Sequence, residues 1–145
     1  MVNSTHLSLT ATAEKWPIAG DFRISRGSKT EALVVLAELS DGRDIGRGEC
    51  VPYARYRESV ESVTAAIEAA RPALEAGMDR AGLQQMLPPG AARNALDCAM
   101  LDLEAKQAGK PAYALLGLAA PRALTTAYTI SVSYTHLTLP TILRV

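Results

Sequence analysis

Residues 31–53 read EALVVLAELSDGRDIGRGECVPY. The opening part, Glu31 to Leu39, contains a continuous apolar stretch of strand length, suited to burial on both faces. Ser40 to Arg43 supplies an Asp-Gly turn. The chain then returns through Asp44 to Tyr53 as another strand, which Pro52 closes because it has no N–H for a ladder. Upstream, Leu7 to Glu14 alternates polar and apolar residues with a period of two. These segments predict a three-stranded antiparallel meander. Residues 16–30, WPIAGDFRISRGSKT, combine Pro, Gly, Ser and several charges. They are expected to form a long loop between the first two strands, and long loops in compact domains are often functional.

Downstream the pattern becomes helical. Ser59 is the expected N-cap, with Glu61 in the first turn where the helix dipole favours a carboxylate. Val60, Val63, Ile67, Ala70 and Leu74 recur at helical spacing and mark a buried stripe. Pro72 is expected to end or kink this helix near Ala70, with Gly77 as a stop signal. Ala81 to Leu87 forms a short helix, and Pro88 to Gly90 punctuates it. Ala91 to Gly109 is the best helix of the chain, dense in Ala and Leu and apolar around most of its circumference, so several elements should pack on it. Residues 110–117, KPAYALLG, add a further turn or two. Pro121 to Val132, rich in Thr, Tyr and Ile, predicts one more strand, with no partner in the meander. Strands grouped first and helices after give an α+β class.

The 145 residues are 48% apolar, enough for a folded core. Fifteen basic and fifteen acidic residues cancel, leaving no overall field for nucleic acid or an anionic membrane. The first residues lack a basic start and an apolar core, so no signal peptide is expected, and no apolar run reaches membrane-spanning length. Cys50 and Cys98 stand in no ligand spacing and read as buried free thiols of a cytoplasmic protein. His6 and His136 do not complete a zinc site with them.

Candidate chemistry is sparse. Asp97 and Asp102 are five residues apart, which puts them off each other's helical face and argues against joint chelation. Asp97 is expected to pair with Arg93, one turn back. Glu49, beside Cys50, reads as a structural hydrogen-bonding group. Arg23 and Arg26 flank a turn-like stretch with Gly27, where a guanidinium is either a carboxylate clamp or a solvated loop residue. Tyr53, Arg55, Tyr56 and Arg57 interleave aromatics and cations. In a neutral chain they read as a surface or interface loop rather than a nucleic-acid stack.

The runs EKWPIAGDFRISRGSKTEALVVLAEL, GRGECVPYARYRES, LPPGAARNALDCAMLDLEAKQAGKPAYALLG and TTAYTISV resemble the N-terminal capping domain of the enolase superfamily. The resemblance lies in the mandelate racemase/muconate lactonizing branch and, within it, with the dipeptide epimerases. It covers about Leu7 to Val132. It implies a capping domain over residues 1–120 and, over 121–132, the first strand of a TIM-type barrel that the remaining residues are too few to supply. It further implies a Mg2+-dependent isomerase that moves the α-proton of the glutamyl residue of L-Ala-D/L-Glu, in which two barrel lysines and three barrel carboxylates do the chemistry. The cap of such an enzyme closes over the substrate and reads its side chain. By position, Arg26 is the expected contact for the distal carboxylate, with Ile18, Phe22 and Tyr53 as lid contacts. No catalytic residue and no metal ligand is expected in this chain, since Lys15, Lys29, Lys106 and Lys110 match no catalytic position. Mg2+ would belong to the full-length enzyme, and the chain alone is expected to be an inactive fragment. The parent enzyme is open to being a homo-oligomer.

Ser133 to Val145, SYTHLTLPTILRV, departs from that pattern where a helix should follow. It is similar to C-terminal strings produced by translated sequencing-adaptor read-through, and is set aside as a non-native tail. Two other readings stay open. One is a free-standing cap that binds another protein through its uncovered apolar side. The other is the cap of a muconate cycloisomerase or o-succinylbenzoate synthase, whose less charged substrates would not need Arg26.

Overall fold

The computed structural model describes residues 7–24 and 27–126. Three strands form one antiparallel sheet: β1 (Ser8–Ile24), β2 (Gly27–Ser40) and β3 (Ile45–Cys50), with β2 in the centre. Four helices follow: α1 (Val60–Glu75), α2 (Arg80–Met86), α3 (Ala91–Gln107) and the single turn α4 (Ala112–Leu115). The meander and the helices after it agree with the α+β expectation.

One face of the sheet is apolar because alternate residues of the strands share it. In register across the sheet, Leu9, Leu39 and Gly46 form one row, and Ala11, Ala37 and Gly48 the next. Val35 and Cys50 extend the same face. These residues join Val63, Ile67, Ala70 and Leu74 of α1, Leu83 of α2, and Ala95, Leu96, Ala99, Met100 and Leu103 of α3 in one buried cluster. The seam between β3 and α3 is unusually close. A Cβ on Gly46 would run into the carbonyl oxygen of Ala99, and one on Gly48 into that of Ala95. Glycine on the strand and alanine on the helix therefore let the two backbones meet.

Helix side chains bond outward-facing backbone groups of both edge strands, at Leu9 on β1 and along β3, which answers part of their unpaired edges. On β1, the Leu9 N–H donates to Glu75 Oε1 (3.3 Å) and its carbonyl accepts from Arg71. On β3, the Arg47 N–H donates to Asp102 (2.8 Å), and the Ile45 and Glu49 carbonyls accept from Lys106 (2.6 Å) and Asn94 (3.3 Å).

Four expectations need correction. The loop expected over residues 16–30 is largely strand: β1 and β2 run on beyond β3 as a projecting hairpin. Pro17 is tolerated because it lies on the edge strand, where no third strand asks for its N–H. The irregular composition is absorbed by a register shift between Pro17 and Phe22, which sets residues 18–21 against Thr30. Pro72 does not end α1, which continues to Glu75. Its last turn is held by Leu74, fully buried, and by the Arg71 and Glu75 bonds to β1. Asp97 pairs with Arg80 of α2 (2.8 Å), not with Arg93, whose guanidinium donates to the Leu87 carbonyl (3.4 Å). Cys98 is exposed, and only Cys50 is buried. Residues 121–126 carry no strand pairing, and the rest of the strand expected there lies outside the described residues, as do 133–145.

Candidate functional site

The strand directions fix where the expected contacts fall. β1 and β3 both run antiparallel to β2, so both head toward the same end of the sheet. At that end β3 stops at Cys50, level with Val35 of β2 and Ala13 of β1. The hairpin continues past this point and carries Ile18 and Phe22. The chain leaving β3 carries Tyr53 past the same end. α3 lies antiparallel to β3, since its Lys106 bonds Ile45 and its Asn94 bonds Glu49. Its N-terminus therefore reaches the same end too.

Tyr53 opens a tight turn. Its carbonyl accepts from the N–H groups of Tyr56 (2.8 Å) and Glu58 (3.4 Å), and a 3-10 turn spans Ala54–Tyr56. Arg57 closes it in the left-handed conformation (φ 62°). The Tyr53 and Tyr56 rings lie 5.8 Å apart at a tilted angle, and both are exposed. Beside them is an open cavity of about 470 Å3 lined by Cys50, Val51, Tyr53, Tyr56, Glu58 and Asn94, among others. Burial pushes the Cys50 thiol up to about 11, helped by the nearby charges of Glu58 and Glu49 and opposed by its bond to the Val35 carbonyl. This end of the molecule offers aromatic and apolar contact surface, suited to covering a ligand and excluding water.

Of the expected contact residues, Ile18 is half-buried within the register shift and Tyr53 is exposed at the cavity. Phe22 lies on β1, paired with Lys29. Arg26 falls outside the described residues. Asp97 and Asp102 do not converge: Asp97 meets Arg80, while Asp102 meets Lys106 (2.7 Å) and the Arg47 N–H. Glu58 was not among the residues singled out from sequence. Its signal was indirect. PPGAARN puts Gly90 at the N-cap of α3, which brings no side-chain acceptor for the first amides and leaves that place open to a carboxylate from elsewhere in the chain.

The family model described as "Mandelate racemase / muconate lactonizing enzyme, N-terminal domain" matches residues 6–117. The L-Ala-D/L-Glu epimerase of Escherichia coli (strain K12) is 48% identical over 117 residues, which are 81% of this chain and 36% of that protein. A solved enolase family member from Agrobacterium tumefaciens, with homology to dipeptide epimerases and bound to sodium and L-Ala-L-Glu, superposes with a TM-score of 0.80 at 54% identity. That match covers 87% of this chain and 39% of the other. The dipeptide epimerase from Methylococcus capsulatus, complexed with Mg and L-Arg-D-Lys, gives a TM-score of 0.74 at 27% identity, over 92% of this chain and 43% of that one. The chain thus spans well under half the length of these relatives. Among the described residues, no helix is long and apolar enough to cross a membrane. With sheet, helices and glycine seam in place over the matched residues, the chain belongs to the mandelate racemase/muconate lactonizing enzyme family, of which it carries the N-terminal domain.

Proposed function

We propose that this chain is the substrate-reading cap of a cytoplasmic, Mg2+-dependent dipeptide epimerase that moves the glutamyl α-proton of L-Ala-D/L-Glu. One observation carries the reading: the hairpin bearing Ile18 and Phe22 and the turn bearing Tyr53 extend beyond the same end of the sheet. They do so in a chain 48% identical to an L-Ala-D/L-Glu epimerase and 54% identical to a protein bound to L-Ala-L-Glu. In this reading Ile18, Phe22 and Tyr53 cover the substrate, and Arg26 meets its distal carboxylate through a charge-assisted pair.

The described residues do not fit a Mg2+ site. No three His, Cys, Asp or Glu side chains among them converge to hold a metal. Asp97, Asp102 and Glu58 are engaged by Arg80, Lys106 and the Ala91 amide respectively. The cap's part is accordingly recognition and water exclusion, with no step of proton transfer assigned to it.

A chimera tests the reading. Residues 1–132 would replace the matching N-terminal part of the Escherichia coli relative, and α-proton exchange of L-Ala-D-Glu in D2O would be followed by NMR with Mg2+ present. Exchange is expected. Arg26→Ala should raise KM for this dipeptide about tenfold or more, as for loss of a hydrogen bond to a charged group. A folded chimera that exchanges no dipeptide would remove the proposal.

A further inference from the structure

We infer that Glu58 is a positioning residue that rivets the Tyr53 turn to the N-terminus of α3 and so sets where that turn meets the substrate. The substrate part of this inference rests on the epimerase reading; the rivet itself does not.

Glu58 divides its carboxylate between two distant segments. Oε1 accepts from the Ala91 N–H at 2.7 Å, and Oε2 from the Tyr53 N–H at 3.2 Å. Each end needs it. α3 begins at Gly90 with no side-chain cap and no acidic residue in its first turn. Its first amides and dipole therefore call for an outside anion. Gly90 also makes room for one, since a Cβ there would stand 2.9 Å from Glu58 Oε1. At the other end, the Tyr53 carbonyl is already held by Tyr56 and Glu58 amides, so Glu58 closes the turn through both backbone and side chain.

The rivet inherits its rigidity from α3. That helix is fixed on β3 by the Gly46 and Gly48 seam and by Asp102, Lys106 and Asn94 along the strand edge. An exposed turn thereby gains the position of the most buried helix. Such a turn can present Tyr53 and Tyr56 to a ligand without ordering them at each binding event, which lowers the entropic cost of binding.

The test uses Glu58→Gln and Glu58→Ala. Gln keeps one acceptor oxygen and can satisfy one of the two amides; Ala satisfies neither. In the 145-residue chain, amide exchange by NMR should quicken about tenfold or more at both Tyr53 and Ala91 in the Ala variant. In the Gln variant it should quicken at one of the two. Amides of Val35 and Ala99 should keep their rates in both. In the chimera described above, both variants should raise KM for L-Ala-D-Glu more than they lower kcat, with Gln retaining part of the wild-type KM.

Unchanged exchange at Tyr53 would reduce Glu58 to a helix cap and overturn the inference. Changed exchange with unchanged KM in an active chimera would overturn its substrate half. A chimera inactive with Glu58 intact would sink the epimerase reading instead, while the exchange rates would still judge the rivet. If the Ala variant fails to fold, the Gln variant alone decides between these outcomes.

Discussion

Cys50 and Cys98 have the same side chain and opposite surroundings. Cys50 sits under the end of the sheet, bonded to the Val35 carbonyl, with its thiol pushed up to about 11 by burial and then by the Glu58 charge. Cys98 is exposed on α3. Reactivity follows the thiolate and its access. At pH 8 a disulfide reagent such as DTNB should therefore titrate one thiol quickly and the second only after denaturation, and Cys98→Ser should abolish the fast phase. Because the folded thiol is the weaker acid, its contribution to stability is present below pH 9 and is lost as pH rises toward about 11. Urea midpoints of wild type and Cys50→Ala across that range should show the wild type alone losing this increment. A fast reaction at both thiols in the folded chain would refute the assignment. Sequence could not separate the two cysteines, since each follows a carboxylate (Glu49, Asp97) and precedes an apolar residue (Val51, Ala99). Only the turn of α3 decides which one faces out.

At the scale of elements, the legible parts were those where one physical signal acted alone. Ser59 accepts from the Ser62 N–H, and the stripe from Val63 to Leu74 is buried, as period and capping required. Misreadings came where a local signal met a tertiary one. Pro17 and Gly20 read as loop, yet cross-strand pairing carried β1 past them to Ile24. Pro72 read as a stop or a kink, yet Leu74 packing and the Arg71 link to Leu9 carried the helix on to Glu75. Site residues were harder because they depend on segments far apart in sequence: Glu58 and Ala91 meet across 33 positions. The seam between β3 and α3 shows the same dependence, for nothing in GRGEC itself says that a helix backbone lies on it. Gly48→Ala should lower stability by about 1–3 kcal/mol, the usual cost of forcing a methyl into a packed contact, read as a drop in the urea midpoint with an unchanged m-value. Gly42→Ala is the control for backbone freedom, because a Cβ there meets nothing within 4 Å while its φ of 85° is strained for any other residue. An unchanged urea midpoint for Gly48→Ala would show that the seam does not depend on the close approach.

Among the described residues, large apolar side chains are left exposed in more than one place. Trp16, Val51, Tyr53 and Tyr56 are exposed around the hairpin and the Tyr53 turn, and Leu116, Leu118 and Leu124 are exposed after α3. Large apolar side chains left in water in this number favour contact with another surface. At the same time two of the lysines among the described residues are held in pairs. Lys106 is held by Asp102 and the Ile45 carbonyl, and Lys15 faces Glu31 at 3.8 Å. Proton abstraction next to a carbonyl needs a base aimed at the carbon and an electrophile at the oxygen. Neither converges among the described residues at the end where the hairpin, the Tyr53 turn and the α3 N-terminus meet. The 145-residue chain by itself should therefore exchange the α-proton of L-Ala-D-Glu in D2O no faster than buffer, with or without Mg2+. It should also self-associate as concentration rises, measured by sedimentation velocity. Serine at Leu116, Leu118 and Leu124 together should shift that association to higher concentration, whereas serine at Leu83, a buried residue, should unfold the chain instead. Exchange above the buffer rate would mean that this domain carries chemistry of its own. A monomer at every concentration would mean that the exposed leucines are too scattered to act as one surface.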